Sequence, residues 1–65
     1  SVNLFLAVMS LLKNLRSVIH LFYYVDMPIK EIADMLNIKQ SAVKTRLCRA
    51  REQLKIELGD DWNDE

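Results

Sequence analysis

The sequence predicts an all-α domain of four helices. Apolar residues recur at spacings of three and four along most of the chain, and no segment shows the period-two alternation of a strand. One Gly and one Pro in 65 residues leave little material for the turns of a sheet. This length allows one domain, and the single cysteine, Cys48, excludes an internal disulfide framework.

The first predicted helix covers Leu4 to about Leu12. Its inner stripe consists of Leu4, Ala7, Val8, Leu11 and Leu12. Since this segment is apolar around most of its circumference, we expect a second cover for it: a partner protein, a second copy of the chain or a missing part of a longer chain. Lys13-Asn14 interrupts the pattern. A second helix then ends near Val25-Asp26. Its inner stripe consists of Leu15, Val18, Ile19 and Phe22, and Tyr23 is a further candidate.

The third and fourth helices are predicted from their end signals as well as their stripes. Pro28 suits the first turn of the third helix, where its missing N–H is not needed. Asn37 suits the end of this helix because Asn tolerates the left-handed conformation. The fourth helix begins at Lys39 or Gln40 and runs to about Leu58, where Gly59 is a stop signal. The inner stripes are Ile29, Ile32, Ala33 and Leu36, followed by Val43, Leu47, Ala50, Leu54 and Leu58.

The charges are unevenly distributed although the net charge is zero. Residues 28–55 hold seven cations against three anions, whereas residues 56–65 hold five anions and no Lys or Arg. A basic block of this kind indicates a polyanionic partner. We therefore expect a folded domain over residues 1–58 and an acidic C-terminal tail over residues 59–65.

The third helix, a turn of about three residues and the fourth helix form a helix-turn-helix arrangement. At 100° per residue, the polar residues of the first turns lie away from Val43 and Leu47. Polar side chains of medium length suit base edges in the major groove of DNA, and flanking arginines suit phosphates. These polar residues are Gln40, Ser41, Lys44 and Thr45.

Three runs of residues carry a resemblance to a known family: RSVIHLFYY at 16–24, IKEIA at 29–33 and VKTRLCRAR at 43–51. They resemble region four of a bacterial RNA polymerase sigma factor of the sigma-70 family, most closely the extracytoplasmic-function type. The resemblance covers about residues 7–55 and implies a promoter-binding transcription factor without a cofactor. It implies that helix four, about residues 40–58, enters the major groove of the upstream (−35) promoter element.

The same resemblance implies two protein partners, the flap of the RNA polymerase β subunit and an anti-sigma factor. Taken position by position, it assigns base contacts to Gln40, Ser41, Lys44 and Thr45. It assigns contacts with the DNA backbone to Arg16, Lys30, Arg46 and Arg49, to which we add Lys39 at the start of helix four. The fold expected is a four-helix domain of the winged-helix-like or sigma region four type.

This chain departs from the family pattern at several positions. Pro28 and Lys39 stand where Ser is common, Asn37 stands where Gly is common, and Leu11-Leu12 replaces the usual Leu-Pro. Nothing in the sequence resembles region two, so a fragment of a sigma factor and a stand-alone regulator both stay open.

Two alternative functions also stay open. The output domain of a response regulator shares I-A-x-x-L-x-I and V-K, although it usually continues differently after V-K. A protein-interaction module could bind polymerase or an anti-sigma factor without contacting DNA, and the apolar first helix could support self-association.

Other classes of function are not expected from this sequence. It has no nucleophile–base pair and no phosphate-binding glycine loop, so an enzyme is not expected. His20 has no second ligand at metal-binding spacing, which argues against a metal site. The longest apolar stretch is far below the roughly 20 residues of a membrane span. Together with the lack of a signal-peptide pattern, this predicts a cytoplasmic domain that does not contact membranes.

Overall fold

The structure is a computed structural model that describes residues 2–59, with side chains from Asn3 onward. It contains four α-helices, and a π-helical turn continues the second of them. In chain order these are α1 (Val2–Ser10), α2 (Lys13–Ile19), the π-turn (His20–Tyr24), α3 (Ile29–Leu36) and α4 (Gln40–Leu58). The predicted all-α fold of four helices is confirmed, and residues 2–59 contain no strand that could form a wing. The acidic residues after Gly59 lie outside the described part of the chain.

The junction between α1 and α2 differs from the prediction. α1 ends at Ser10, whose hydroxyl donates a hydrogen bond to the carbonyl of Ala7 at 2.7 Å. Leu11 is buried as predicted, but Leu12 is 73% exposed, so its assignment to the inner stripe was wrong. The reason is the extended backbone of Leu12 (φ −56°, ψ 148°), which turns its side chain away from the core. Lys13-Asn14 begins α2 and does not interrupt a helix.

The second helix changes its winding before it ends. From His20 onward the backbone widens, and the N–H of Val25 donates to the carbonyl of His20 at 3.2 Å, five residues back. The N–H of Met27 donates a hydrogen bond to the carbonyl of Leu21 at 2.9 Å. A π-turn of this kind directs the side chains that follow differently from an α-helix. The second helix therefore ends where the sequence predicted, near Val25-Asp26, but its last turn is π-helical, which the sequence did not predict.

The core is assembled around α4, which packs against α1, α2 and α3. Val43, Ala50 and Leu54 are 0% exposed and Leu47 is 1% exposed, as the predicted stripe requires. No polar or charged side chain is buried among the described residues. Apolar burial therefore supplies the main driving force for folding. The buried residues are Ala7, Val8, Leu11, Leu15, Val18, Ile19, Ile32, Ala33, Val43, Leu47, Ala50 and Leu54.

The turn between α3 and α4 is set by Asn37, which adopts the left-handed conformation (φ 56°, ψ 48°). Its N–H donates to the carbonyl of Asp34 at 3.3 Å, and the N–H of Ile38 donates to the carbonyl of Ala33 at 3.0 Å. This pair of bonds is the Schellman motif, which satisfies carbonyls at the end of a helix. Ile38 packs against the core, so the predictions for Asn37 and Ile38 are confirmed.

The start of α3 lies one residue later than predicted. Pro28 is the N-cap, with extended backbone (φ −62°, ψ 151°), and no side chain caps this helix end. Placing Pro28 within the first helical turn was therefore wrong. The carbonyl of Pro28 accepts the N–H of Ile32 at 3.0 Å and begins the hydrogen-bond pattern of the helix.

The left-handed conformation of Asn37 leads to a stability prediction. Asn37→Ala should lower the free energy of unfolding by about 1 kcal/mol because a Cβ-bearing residue without the Asn amide is strained there. Asn37→Gly should leave it within about 0.5 kcal/mol, since Gly adopts this conformation without strain. Urea unfolding followed by circular dichroism measures both variants. Asn14→Ala, an exchange on the exposed side of α2, is the control; an equal loss in Asn14→Ala and Asn37→Ala would contradict the account.

Candidate nucleic-acid interface

The orientation of α4 follows from the side chains beneath its first turns. Val43 and Leu47 point into the core, where Ile32 is 0% exposed and Ala33 is 5% exposed on the neighbouring α3. Small Ala33 lets the two helices approach closely at this crossing. With these positions buried, the helical period directs the intervening positions outward.

The four residues predicted to contact bases share one exposed surface. Gln40, Ser41, Lys44 and Thr45 are all exposed on the first two turns of α4. The hydroxyl of Thr45 donates to the carbonyl of Ser41 at 3.0 Å, within the same helix. We call these four residues the polar face of α4. The structure brings them together as expected, while their contact with DNA bases stays a prediction.

The N-terminus of α4 has no side-chain cap. Lys39 is the N-cap residue, and its carbonyl accepts the N–H groups of Ala42 at 3.0 Å and Val43 at 3.1 Å. The first amides of a helix have no partner within it, and the helix dipole makes this end positive. The lysine in place of a capping serine therefore leaves the amides of Gln40 and Ser41 able to bind an anion.

Four of the five predicted backbone contacts lie on α3, on α4 or in the turn between them. Lys30, Lys39 and Arg49 are exposed, and Lys30 lies in the first turn of α3. Arg46 is partly buried and lines a groove of about 590 Å³ together with Leu12 and other residues of α2, α3 and the turn. The polar face itself adds one more cation, Lys44.

Arg16 lies elsewhere, on α2. It is partly buried, and its Nη1 donates to the carbonyl of Met9 at 3.2 Å. It lines an open, mainly apolar groove of about 480 Å³ between α1, α2 and the π-turn. Among the described residues, Arg16 bonds to Met9 and not to the polar face. Its role as a DNA contact stays a prediction.

Two contacts at the edge of this surface were missed by the sequence analysis. The Nε of Arg51 donates to the hydroxyl of Tyr23 at 2.7 Å, and its guanidinium carbon lies 5.5 Å from the centre of that ring. This bond joins α4 to the π-turn across 28 positions of sequence. Further along α4, the thiol of Cys48 donates to a carboxylate oxygen of Glu52 at 3.8 Å. Helical spacing could have located Glu52, but no local signal indicates the Tyr23 contact.

The described residues offer neither a metal site nor a membrane span. Within residues 3–59, no three His, Cys, Asp or Glu side chains come together as metal ligands. None of the described helices combines the length and apolarity that a membrane crossing requires.

The bond between Arg51 and Tyr23 gives a second prediction. Tyr23→Phe should lower the free energy of unfolding by about 1 kcal/mol because it removes the acceptor of a partly buried hydrogen bond. In an Arg51→Met background the same exchange should cost almost nothing, as a double-mutant cycle in urea will show. Tyr24→Phe is the control, since its hydroxyl has no hydrogen-bond partner within the described residues. If Tyr23→Phe lowers the free energy of unfolding equally in both backgrounds, the bond between Arg51 and Tyr23 does not contribute to stability.

The geometry agrees with what comparison with known proteins finds. A family model described as "Sigma-70, region 4" matches residues 1–54, which is most of the 65-residue chain. No curated protein matches the chain, and no solved structure matches it. The chain therefore belongs to the sigma-70 region 4 family, whose members are the DNA-binding helix-turn-helix modules of transcription sigma factors.

Proposed function

We propose that this domain binds the upstream (−35) element of bacterial promoters by placing α4 in the major groove. The polar face carries the proposal: four exposed polar residues on the first two turns of α4, held outward by the buried Val43 and Leu47. A major groove of B-DNA is about 12 Å wide and admits one helix. In helix-turn-helix proteins the N-terminal residues of the second helix contact the bases, and these residues are here Gln40 to Thr45.

The residues divide into base contacts and phosphate contacts by length, charge and position. Lys44 can donate to O6 and N7 of guanine, and the amide of Gln40 can pair with adenine. The cations proposed to contact the DNA backbone are Arg16, Lys30, Lys39, Arg46 and Arg49. The uncapped amides at the start of α4 add a second means of holding a phosphate.

A different surface is proposed for RNA polymerase, which the family as a whole contacts. Exposed apolar side chains lie on α1 and at the α1–α2 junction, an unusual concentration for a surface in water. We propose that this apolar face docks on the flap of the β subunit and that an anti-sigma factor competes for it. Its members are Phe5, Leu6, Met9 and Leu12.

We propose the extracytoplasmic-function type from the same three runs, of which VKTRLCRAR at residues 43–51 is the most specific.

A second candidate function is a protein-interaction module that does not contact DNA. The same apolar face favours it, as does the zero net charge of the chain, and self-association through α1 is one form of it. Sedimentation of the free chain over a range of concentrations tests self-association. Binding to duplex DNA separates the two candidates.

Selection of duplexes from a random library, followed by titration of the enriched sequence, tests the proposed function. The logarithm of the binding constant should fall linearly with the logarithm of salt concentration. If all five proposed cations contact phosphates, the slope should be roughly −4 to −5. No enriched sequence, or equal binding to random duplexes at every salt concentration, would contradict the proposal.

Lys44 provides a sharper test on the selected duplex. Lys44→Glu should weaken binding about tenfold or more because it replaces a donor facing the bases with an acceptor. Lys55→Glu makes the same charge change on the same helix, about 16 Å further along its axis and beyond a Debye length at 0.1 M salt. Fluorescence anisotropy should therefore show a much smaller effect for Lys55→Glu. Matching losses in both variants would mean that only overall charge matters.

Leu12 tests the proposed polymerase surface. Leu12→Glu should weaken binding to polymerase core enzyme several-fold, since burying a carboxylate in an apolar contact is unfavourable. The midpoint of urea unfolding should stay unchanged, because Leu12 is 73% exposed. Ile56→Glu is the matched control: Ile56 is 78% exposed but lies near the end of α4. If Leu12→Glu leaves binding to the core enzyme unchanged, the apolar face is not the polymerase surface.

A further inference from the structure

Thr45 differs from the other members of the polar face in the hydrogen bond that it makes. Its hydroxyl donates to the carbonyl of Ser41 at 3.0 Å although the side chain is exposed. A threonine hydroxyl has one proton, and this bond uses it. While the bond is in place, Thr45 cannot donate to an acceptor on a base.

The groups that remain on Thr45 are its methyl and the lone pairs of its hydroxyl oxygen. The methyl and the hydroxyl are both attached to Cβ, which is stiff at χ1, so fixing one fixes the other. The hydroxyl is turned back onto the helix, and the methyl is the apolar group that the exposed side chain presents. In the major groove, the apolar group available to receive a methyl is the C5-methyl of thymine.

The other three members of the polar face present polar groups. Gln40 offers an amide, Lys44 an ammonium group, and Ser41 a hydroxyl that has no hydrogen-bond partner among the described residues. Thr45 is thus the one member of the polar face suited to recognise a base by apolar contact. It lies one residue from Lys44, so the base that it contacts belongs to the same short stretch of duplex.

From this geometry we infer that Thr45 is a specificity-determining residue that selects a thymine through methyl–methyl contact. The inference rests on the proposed function, because it requires α4 to lie in the major groove. It adds the chemical identity of one base in the recognised sequence, which the family match does not supply.

Deoxyuridine tests the inference because it pairs as thymidine does and lacks only the C5-methyl. The 65-residue chain is titrated with its selected duplex and with duplexes carrying one deoxyuridine in place of each thymidine in turn. At one position the loss of the methyl should weaken binding about fourfold. This factor corresponds to the free energy gained by burying one methyl-sized group. Methyl loss at the remaining positions should have a smaller effect.

Two variants then assign that position to Thr45. Thr45→Ser keeps a hydroxyl and removes the methyl, so it should bind the thymidine and deoxyuridine duplexes equally. Thr45→Val keeps a methyl and removes the hydroxyl, so it should retain the preference for thymidine. Circular dichroism checks that both variants are folded.

Three outcomes would overturn the inference while leaving the proposed function standing: a selected duplex at which no deoxyuridine weakens binding, a Thr45→Ser variant that keeps the thymidine preference, or a Thr45→Val variant that loses it. The last result would mean that the methyl group of Thr45 does not make the contact by itself. Failure to select any duplex would instead overturn the proposed function, and the inference with it.

Discussion

The crossing of α3 and α4 is the constraint on which the rest of the structure depends. Asn37 ends α3 in the left-handed conformation, and two hydrogen bonds to carbonyls of α3 complete the turn. Ile32, Ala33 and Val43 are all buried, and α3 packs against α4. Because one side of α4 is fixed in this way, the opposite side of its first turns must face solvent. The polar face exists only because this turn and this contact hold.

The described residues carry two surfaces of opposite character. One is polar and basic and lies at the start of α4; the other is apolar and lies on α1 and the α1–α2 junction. α4 packs against α1, α2 and α3, so both surfaces are attached to the same rigid element. The two surfaces adjoin where Leu12 and Arg46 line one groove. The bond between Arg51 and Tyr23 strengthens the link between α4 and the π-turn.

The sequence predicted what depends on helical periodicity and missed what depends on packing. The buried positions of α4 were predicted correctly because burial at steps of three and four residues follows directly from helix geometry. The turn at Asn37 was correct because few residues adopt the left-handed conformation readily. Leu12 was misplaced because an apolar residue at the right spacing is buried only if the helix continues to it, and α1 ends at Ser10. The widening after Ile19 and the contact that Tyr23 makes arise from tertiary packing, for which the sequence carries no local signal.

Backbone NMR during a titration with the selected duplex shows directly whether the polar face of α4 is the surface that contacts DNA. If it is, the amide signals of residues 40–45 shift most and those of Phe5 and Leu6 on α1 stay in place. Shifts confined to α1 and α2, with the first two turns of α4 unaffected, would mean that DNA does not contact the polar face.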